Sequence, residues 1–484
     1  MNMLHLQRRR SGFLPSYAVL LLLNLTLLLK SQNVECFHQL LPFSKITTSV
    51  SSSCPTIWTA TWPQPTHSRH DDAGTARGRK RGRHHALFRM AERGGESGGD
   101  ENYLTGMEKS AGVKLNKGFG LLELAGGLVP QGGLVKTARS GWKFIWLQMM
   151  RELAPQSPDG SYVRPSYGFR GWIGRARFPA EAGRYHIYVG NTCPWCHRAV
   201  LAVVLRGLSP AVTFSFMDDS ESKHPDKASR GGWAFTAGEP DPVFGCNDLR
   251  EVYETCNPGF KGRCTAPVVV DKKARKIVNN ESSQIVRMLN ELSFGPGGGG
   301  GDRTTVVDLC PPALEKEIDA MNDFVYEKIN NGVYRAGFAT SQGSYEKACK
   351  DVFEGLSRCE EILSKTRFLV GERFTEADLR LIPTALRFDA VYTTLFKCSN
   401  MRWRDFPSLY AWLRDVYQLP GVADTIDIDA ARRSYFAQLF PLNPGGIYPM
   451  GPTVEDMGLN NPANRGSQQH PAVFWTKENL SPMA

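Results

Sequence analysis

The chain has 484 residues, 41% of them hydrophobic, which is enough for two or three globular domains with real cores. The formal charge of +10 points at first to nucleic acid, yet residues 1–100 hold thirteen Lys and Arg against six Asp and Glu. The remaining 384 residues are close to neutral, so no basic surface on the folded part supports nucleic-acid binding.

In chain order, Arg8, Arg9 and Arg10 precede an apolar run from Tyr17 to Leu29, the layout of a secretory signal peptide and too short for a membrane span. Val34 and Cys36 suit a cleavage site before Phe37. Residues 37–90 are rich in Ser, Thr, Arg and His, with Asp71 and Asp72 as their acids. A signal peptide followed by a transit-like stretch predicts a two-part presequence over 1–100, disordered, directing the chain to a complex plastid. The alternative is a secreted protein with a disordered stalk. Eleven irregularly spaced cysteines argue against it, because an oxidising compartment favours paired cysteines. Residues 101–180 read as an extension with a short helix over 142–153, packed on the first domain.

Residues 184–190 alternate as a strand, residues 195–207 are almost continuously apolar and close on Gly207 as a helix, and residues 212–217 form a second strand. A βαβ unit results, with Cys193-Pro194-Trp195-Cys196-His197 at its strand-to-helix turn. After an insertion come two strands over 266–271 and 276–280, a helix over 281–292, and a Gly-rich linker over 295–309. The first domain is therefore predicted over 181–294. A helical domain follows over 310–440, with stripes such as Leu314, Ile318, Met321, Val325 and Ile329, and then a tail over 441–484. Thr375 and Asp378 form a capping box before a buried helix.

The cysteine pair admits several chemistries. At a helix amino terminus the unpaired N–H groups and the dipole stabilise a thiolate at Cys193, and Pro194 needs no N–H there. A haem attachment fits the letters but not a buried apolar helix. A zinc site lacks a second ligand pair, so no metal is expected. A purely structural pair stays open. Ala266-Pro267 precedes a strand where the thioredoxin fold has a cis X-Pro bond, whose backbone edge faces the cysteine. Glu281 and Ser282 open a helix and suit the ammonium and carboxylate of a γ-glutamyl group.

Six segments then resemble one family: RYHIYVGNTCPWCHR (184–198), GGWAF (231–235), NNESSQIVR (279–287), NNGVYRAGFATSQ (330–342), RFDAVYTTLFKC (387–398) and NPGGIYPMGP (443–452). They are similar to the motifs of the glutathionyl-hydroquinone reductases, the Xi-class glutathione transferases. Cys196 departs from that family's usual Ala and resembles the Iota class of photosynthetic organisms. Ser434, before Tyr435, stands where the family tends to carry His. The resemblance implies an α/β thioredoxin-like domain followed by an all-α glutathione transferase domain, glutathione as co-substrate, a small aromatic or quinone-type substrate, and a homodimer without membrane attachment. Cys193 would be the nucleophile. Trp233 would flank glutathione, Arg263 would meet its glycyl carboxylate, Ala266 and Pro267 would present the pairing edge, and Glu281 and Ser282 would bind the γ-glutamyl group. Tyr334 and Tyr435 would face the aromatic ligand. Three functions are open: a monothiol transferase acting through Cys193, a dithiol reductase using Cys196 as well, or a non-catalytic carrier of an aromatic ligand.

Overall fold

A computed structural model describes residues 131–164, 168–218, 232–236, 238–294, 307–466 and 473–476. The presequence expected over 1–100, Gly231 of the GGWAF segment and nearly all of the Gly-rich linker lie outside the described residues.

Four strands make one mixed sheet in the order β2-β1-β3-β4. β1 (Tyr185–Gly190) runs parallel to β2 (Val212–Met217) and antiparallel to β3 (Val268–Asp271), which pairs antiparallel with β4 (Lys276–Asn279). Between β1 and β2 lies α2 (Pro194–Leu205), apolar all round because it packs under the sheet and against a helix of the second domain. Gly207, at φ 59°, ends this turn in a conformation that favours glycine. The β3–β4 turn is fixed by the buried Asp271 carboxylate. It accepts the N–H groups of Lys273 and Ala274 at 3.0 and 2.9 Å and pairs with Arg184 at 2.6 Å. α4 (Ser282–Glu291) then lies against α2. This is the expected thioredoxin-like arrangement, with strand ends within two residues of prediction.

The second domain is helical. Its central element is α8 (Glu376–Arg387), which packs on α2 and carries eleven buried residues. The predicted capping box is present, and Asp378 does more than cap. Its buried carboxylate also accepts the Leu369 N–H at 3.0 Å and the Trp412 indole N–H at 2.9 Å. Two wide turns interrupt the helices, closed by i to i+5 bonds from Asn331 N–H to the Tyr326 carbonyl and from Thr393 N–H to the Phe388 carbonyl.

The extension departs from expectation. Helix α1 spans Gln131–Leu153, beginning eleven residues before the predicted start, because its amino-terminal half is exposed and has no buried stripe to reveal it. Nor does it pack on the first domain alone. The Trp146 indole donates to the Pro441 carbonyl at 2.9 Å, which ties the helix to the tail. Among the described residues no helix is long and apolar enough to cross a membrane.

Replacing Asp378 by Ala leaves buried donors on Leu369, Thr375 and Trp412 without their acceptor. We expect a loss on the order of 3 kcal/mol in denaturant unfolding; a loss below the error of the measurement would show that these bonds do not hold α8.

Candidate active site

Cys193 sits at the amino cap of α2 with extended backbone, φ −72° and ψ 121°, and Pro194 follows as the first helical residue. Its side chain is half-buried. The thiol is lowered to about 7, first by a hydrogen bond from the Cys196 thiol, against the opposing effect of burial, then by the Cys196 and Trp195 N–H groups and the positive charge of Arg387. Cys196 shifts the other way, well above its usual range, because it is buried and keeps its proton to donate to Cys193. Its sulfur accepts the Gly190 N–H at 3.2 Å. The two thiols are thus shifted in opposite directions, Cys193 toward the thiolate and Cys196 toward the protonated form.

His197 does not suit a metal or haem site. Thr425 donates its hydroxyl proton to the Val422 carbonyl at 2.6 Å, so it accepts from the protonated His197 Nε2 at 2.7 Å. Nδ1 is then the acceptor for Arg387, at 3.2 Å. Both ring nitrogens are occupied, and burial holds the imidazole neutral by lowering its pKa well below the usual value. Among the described residues no cluster of three His, Cys, Asp or Glu side chains could hold a metal ion.

A cleft of about 650 Å³ opens above Cys193 between the sheet domain and the helices. Cys193, Trp233, Arg263, Ala266, Tyr334 and Tyr435 line it, whereas Cys196 is sealed beneath. The Ala266–Pro267 bond is cis, and the Ala266 carbonyl lies 3.9 Å from the Cys193 sulfur, which places the expected backbone edge opposite the thiol. Trp233 packs so close to Gly190 that a Cβ there would come within 2.4 Å of the indole ring. Arg263 reaches the Leu153 carbonyl at the end of α1, at 3.4 and 3.5 Å.

Glu281 and Ser282 follow the lining residue Asn280 without lining the cleft themselves. Glu281 caps α4 through its carboxylate, which accepts the Ser283 N–H at 3.3 Å. The Ser282 hydroxyl is buried and has no partner.

Tyr334 and Tyr435 meet hydroxyl to hydroxyl at 2.5 Å, and a third phenol, Tyr392, lies 3.2 Å from Tyr435. Burial raises all three above the usual tyrosine value, so they stay protonated at neutral pH. Sequence reasoning missed Tyr392 because it sits in a buried wide turn with no local signal beyond its place in the 387–398 segment. It also missed the cleft wall made by the extension. Leu153 and Tyr162 line the cleft, and the Arg164 guanidinium lies 4.0 Å above the Trp195 ring. Ser434 bonds to the Thr192 hydroxyl at 2.9 Å, next to Cys193 in the chain.

Comparison with known proteins agrees with this geometry. Residues 192–292 match the glutathione S-transferase N-terminal domain and residues 342–415 the corresponding C-terminal domain. The glutathionyl-hydroquinone reductase YqjG of Escherichia coli is 40% identical over 310 residues, covering 61% of this chain and 90% of that protein. Its glutathione-bound structure superposes with a TM-score of 0.56 at 39% identity, over 64% of this chain and 99% of that one. The glutathionyl-hydroquinone reductase PcpF of Sphingobium chlorophenolicum is 38% identical, covering 66% of this chain and 96% of its own. The glutathione transferase Xi of Phanerochaete chrysosporium gives a TM-score of 0.55 at 37% identity, over 61% of this chain and 94% of that one.

If the Cys196 thiol is the main stabiliser of the Cys193 thiolate, Cys196→Ala should move the midpoint of Cys193 alkylation up from about 7 toward an ordinary thiol value. Peptide-resolved mass spectrometry across pH reads this. A midpoint unchanged in the variant would remove Cys196 from that role.

Proposed function

Because this chain belongs to the glutathione transferase superfamily, with Xi-class transferases and glutathionyl-hydroquinone reductases as its relatives, we propose that it removes glutathione from glutathionyl-hydroquinones by attack of Cys193 on the glutathione sulfur. The observation that carries this reading is the pairing of a lowered thiol at Cys193 with protonated phenols across the same cleft.

The Cys193 thiolate supplies the electron pair for a new disulfide bond to the glutathione sulfur. The carbon–sulfur bond of the substrate breaks, and its electrons go to the ring carbon. Tyr334 or Tyr435 delivers a proton to that carbon, and the linked phenols share the resulting charge. A second glutathione, as thiolate, attacks the mixed disulfide and leaves as glutathione disulfide, restoring the Cys193 thiolate. Its proton returns to the tyrosine. The balance is one glutathionyl-hydroquinone and one glutathione converted to hydroquinone and glutathione disulfide.

The cleft suits the tripeptide. Ser282 would accept the γ-glutamyl end, Ala266 would pair with the cysteinyl backbone, Trp233 would cover it, and Arg263 would leave the Leu153 carbonyl for the glycyl carboxylate. The aromatic ring then lies toward Tyr334 and Tyr435, against Phe338 and Leu439.

A second reading follows from the place of Cys196 in the first turn after Cys193: it could expel glutathione from Cys193 and form an internal disulfide. Its deep burial and retained proton weigh against this as the main route. Cys193→Ser should abolish release of hydroquinone, while Tyr435→Phe should lower the rate by roughly 10²-fold or more with little change in glutathione affinity. In Cys196→Ala, measured at pH 9 where Cys193 is ionised regardless, the monothiol route predicts a full rate; loss of turnover there would favour the dithiol route. Full activity in Cys193→Ser would overturn both.

A further inference from the structure

α8 ends on Arg387, a guanidinium 1% exposed and sunk between the two domains. Such a charge ordinarily demands a carboxylate, because the cost of removing it from water is several kcal/mol. Here all its hydrogen bonds go to neutral acceptors. Nε donates to the Thr192 carbonyl at 3.1 Å, and Nη1 donates to the Pro383 carbonyl at 3.0 Å and to His197 Nδ1 at 3.2 Å. Among the described residues no carboxylate comes within ion-pairing distance of it. Two other buried guanidiniums are also held by neutral acceptors, Arg198 by the Asn330 amide and the Arg380 carbonyl and Arg206 by the Val307 and Leu292 carbonyls. Of these three, Arg387 is the one bonded on both sides of Cys193, to Thr192 and to His197.

The three acceptors fix where the charge lies. Thr192 immediately precedes Cys193, and His197 is one helical turn beyond it, so the guanidinium spans the amino end of α2 from the side of the second domain. His197 serves the geometry only in its neutral form, with Nδ1 bare, and Thr425 secures that tautomer. Resting on the reading of Cys193 as nucleophile, we propose that Arg387 is a positioning residue for the thiolate: a buried cation left without a counter-ion until the sulfur ionises, and joined across the domain interface to the helix that carries it.

Two consequences follow physically. Ionisation of Cys193 gives the buried cation its missing anion, so the two charges stabilise each other in a region that water does not screen. Because Arg387 belongs to α8 and Cys193 to α2, the nucleophile's reactivity also depends on how the helical domain is seated on the sheet domain. The other groups around the sulfur have different roles. Cys196 and the Trp195 N–H come from α2 itself, the Ala266 carbonyl comes from the strand loop, and Tyr334, Tyr392 and Tyr435 are neutral phenols of the helical domain. Arg164, Lys261 and Arg263 line the cleft farther along.

The test uses the full chain without any glutathione, following alkylation of Cys193 by iodoacetamide across pH with peptide-resolved mass spectrometry. Arg387→Gln keeps donors for Thr192 and His197 and removes the charge. Its midpoint should rise by about one pH unit, with alkylation below the midpoint slowed roughly tenfold. Arg387→Lys keeps the charge and should stay close to the parent. A folded Gln variant with the parent's midpoint overturns the proposal, and so does a Lys variant whose midpoint rises as far as one unit, which also decides the matter should the Gln chain not fold. A parent midpoint near that of a free thiol would instead defeat the assignment of Cys193 as nucleophile.

Discussion

The proposed chemistry turns on a thiol at the start of a buried helix, lowered to about 7 by its surroundings. Several features around Cys193 favour its ionised form: the Cys196 thiol, the N–H groups of the first turn, and the charge of Arg387. Apolar packing of α2 against the sheet, α4 and α8 supplies the surroundings in which these weak contributions become large. The helical domain is therefore part of the surroundings of Cys193 as well as one wall of the cleft.

Much of this was legible in the sequence for a simple reason: the sheet domain is built from local patterns. The apolar run of α2, the Cys-Pro turn, the Ala266-Pro267 step and the Glu281-Ser282 helix start each depend on neighbours in the chain. Tyr334 and Tyr435 entered through resemblance, and the structure brings their hydroxyls together although 101 positions separate them. Tyr392 and Arg387 escaped because their meaning lies wholly in long-range contact. Arg387 reads as an ordinary basic residue in the last turn of a helix, a place where cations are common, and its partner Thr192 lies 195 positions away. Helix α1 was read short for the opposite reason: its exposed first half has no packing pattern to detect.

Two places give the cleft its own character. The end of α1 and the segment after it contribute Leu153, Tyr162 and Arg164 to the cleft wall, residues that precede the matched N-terminal transferase segment. Ser434, in the cleft lining, bonds to the Thr192 hydroxyl next to Cys193. Burial keeps the nearby phenols of Tyr334 and Tyr435 protonated.

The most direct measurement is to expose the protein to a glutathionyl-hydroquinone with no free glutathione and map the product by mass spectrometry. The account predicts one glutathione joined by a disulfide to Cys193, with one equivalent of hydroquinone released and Cys196 still a thiol. Glutathione on any other cysteine, or hydroquinone release with Cys193 unmodified, would contradict it.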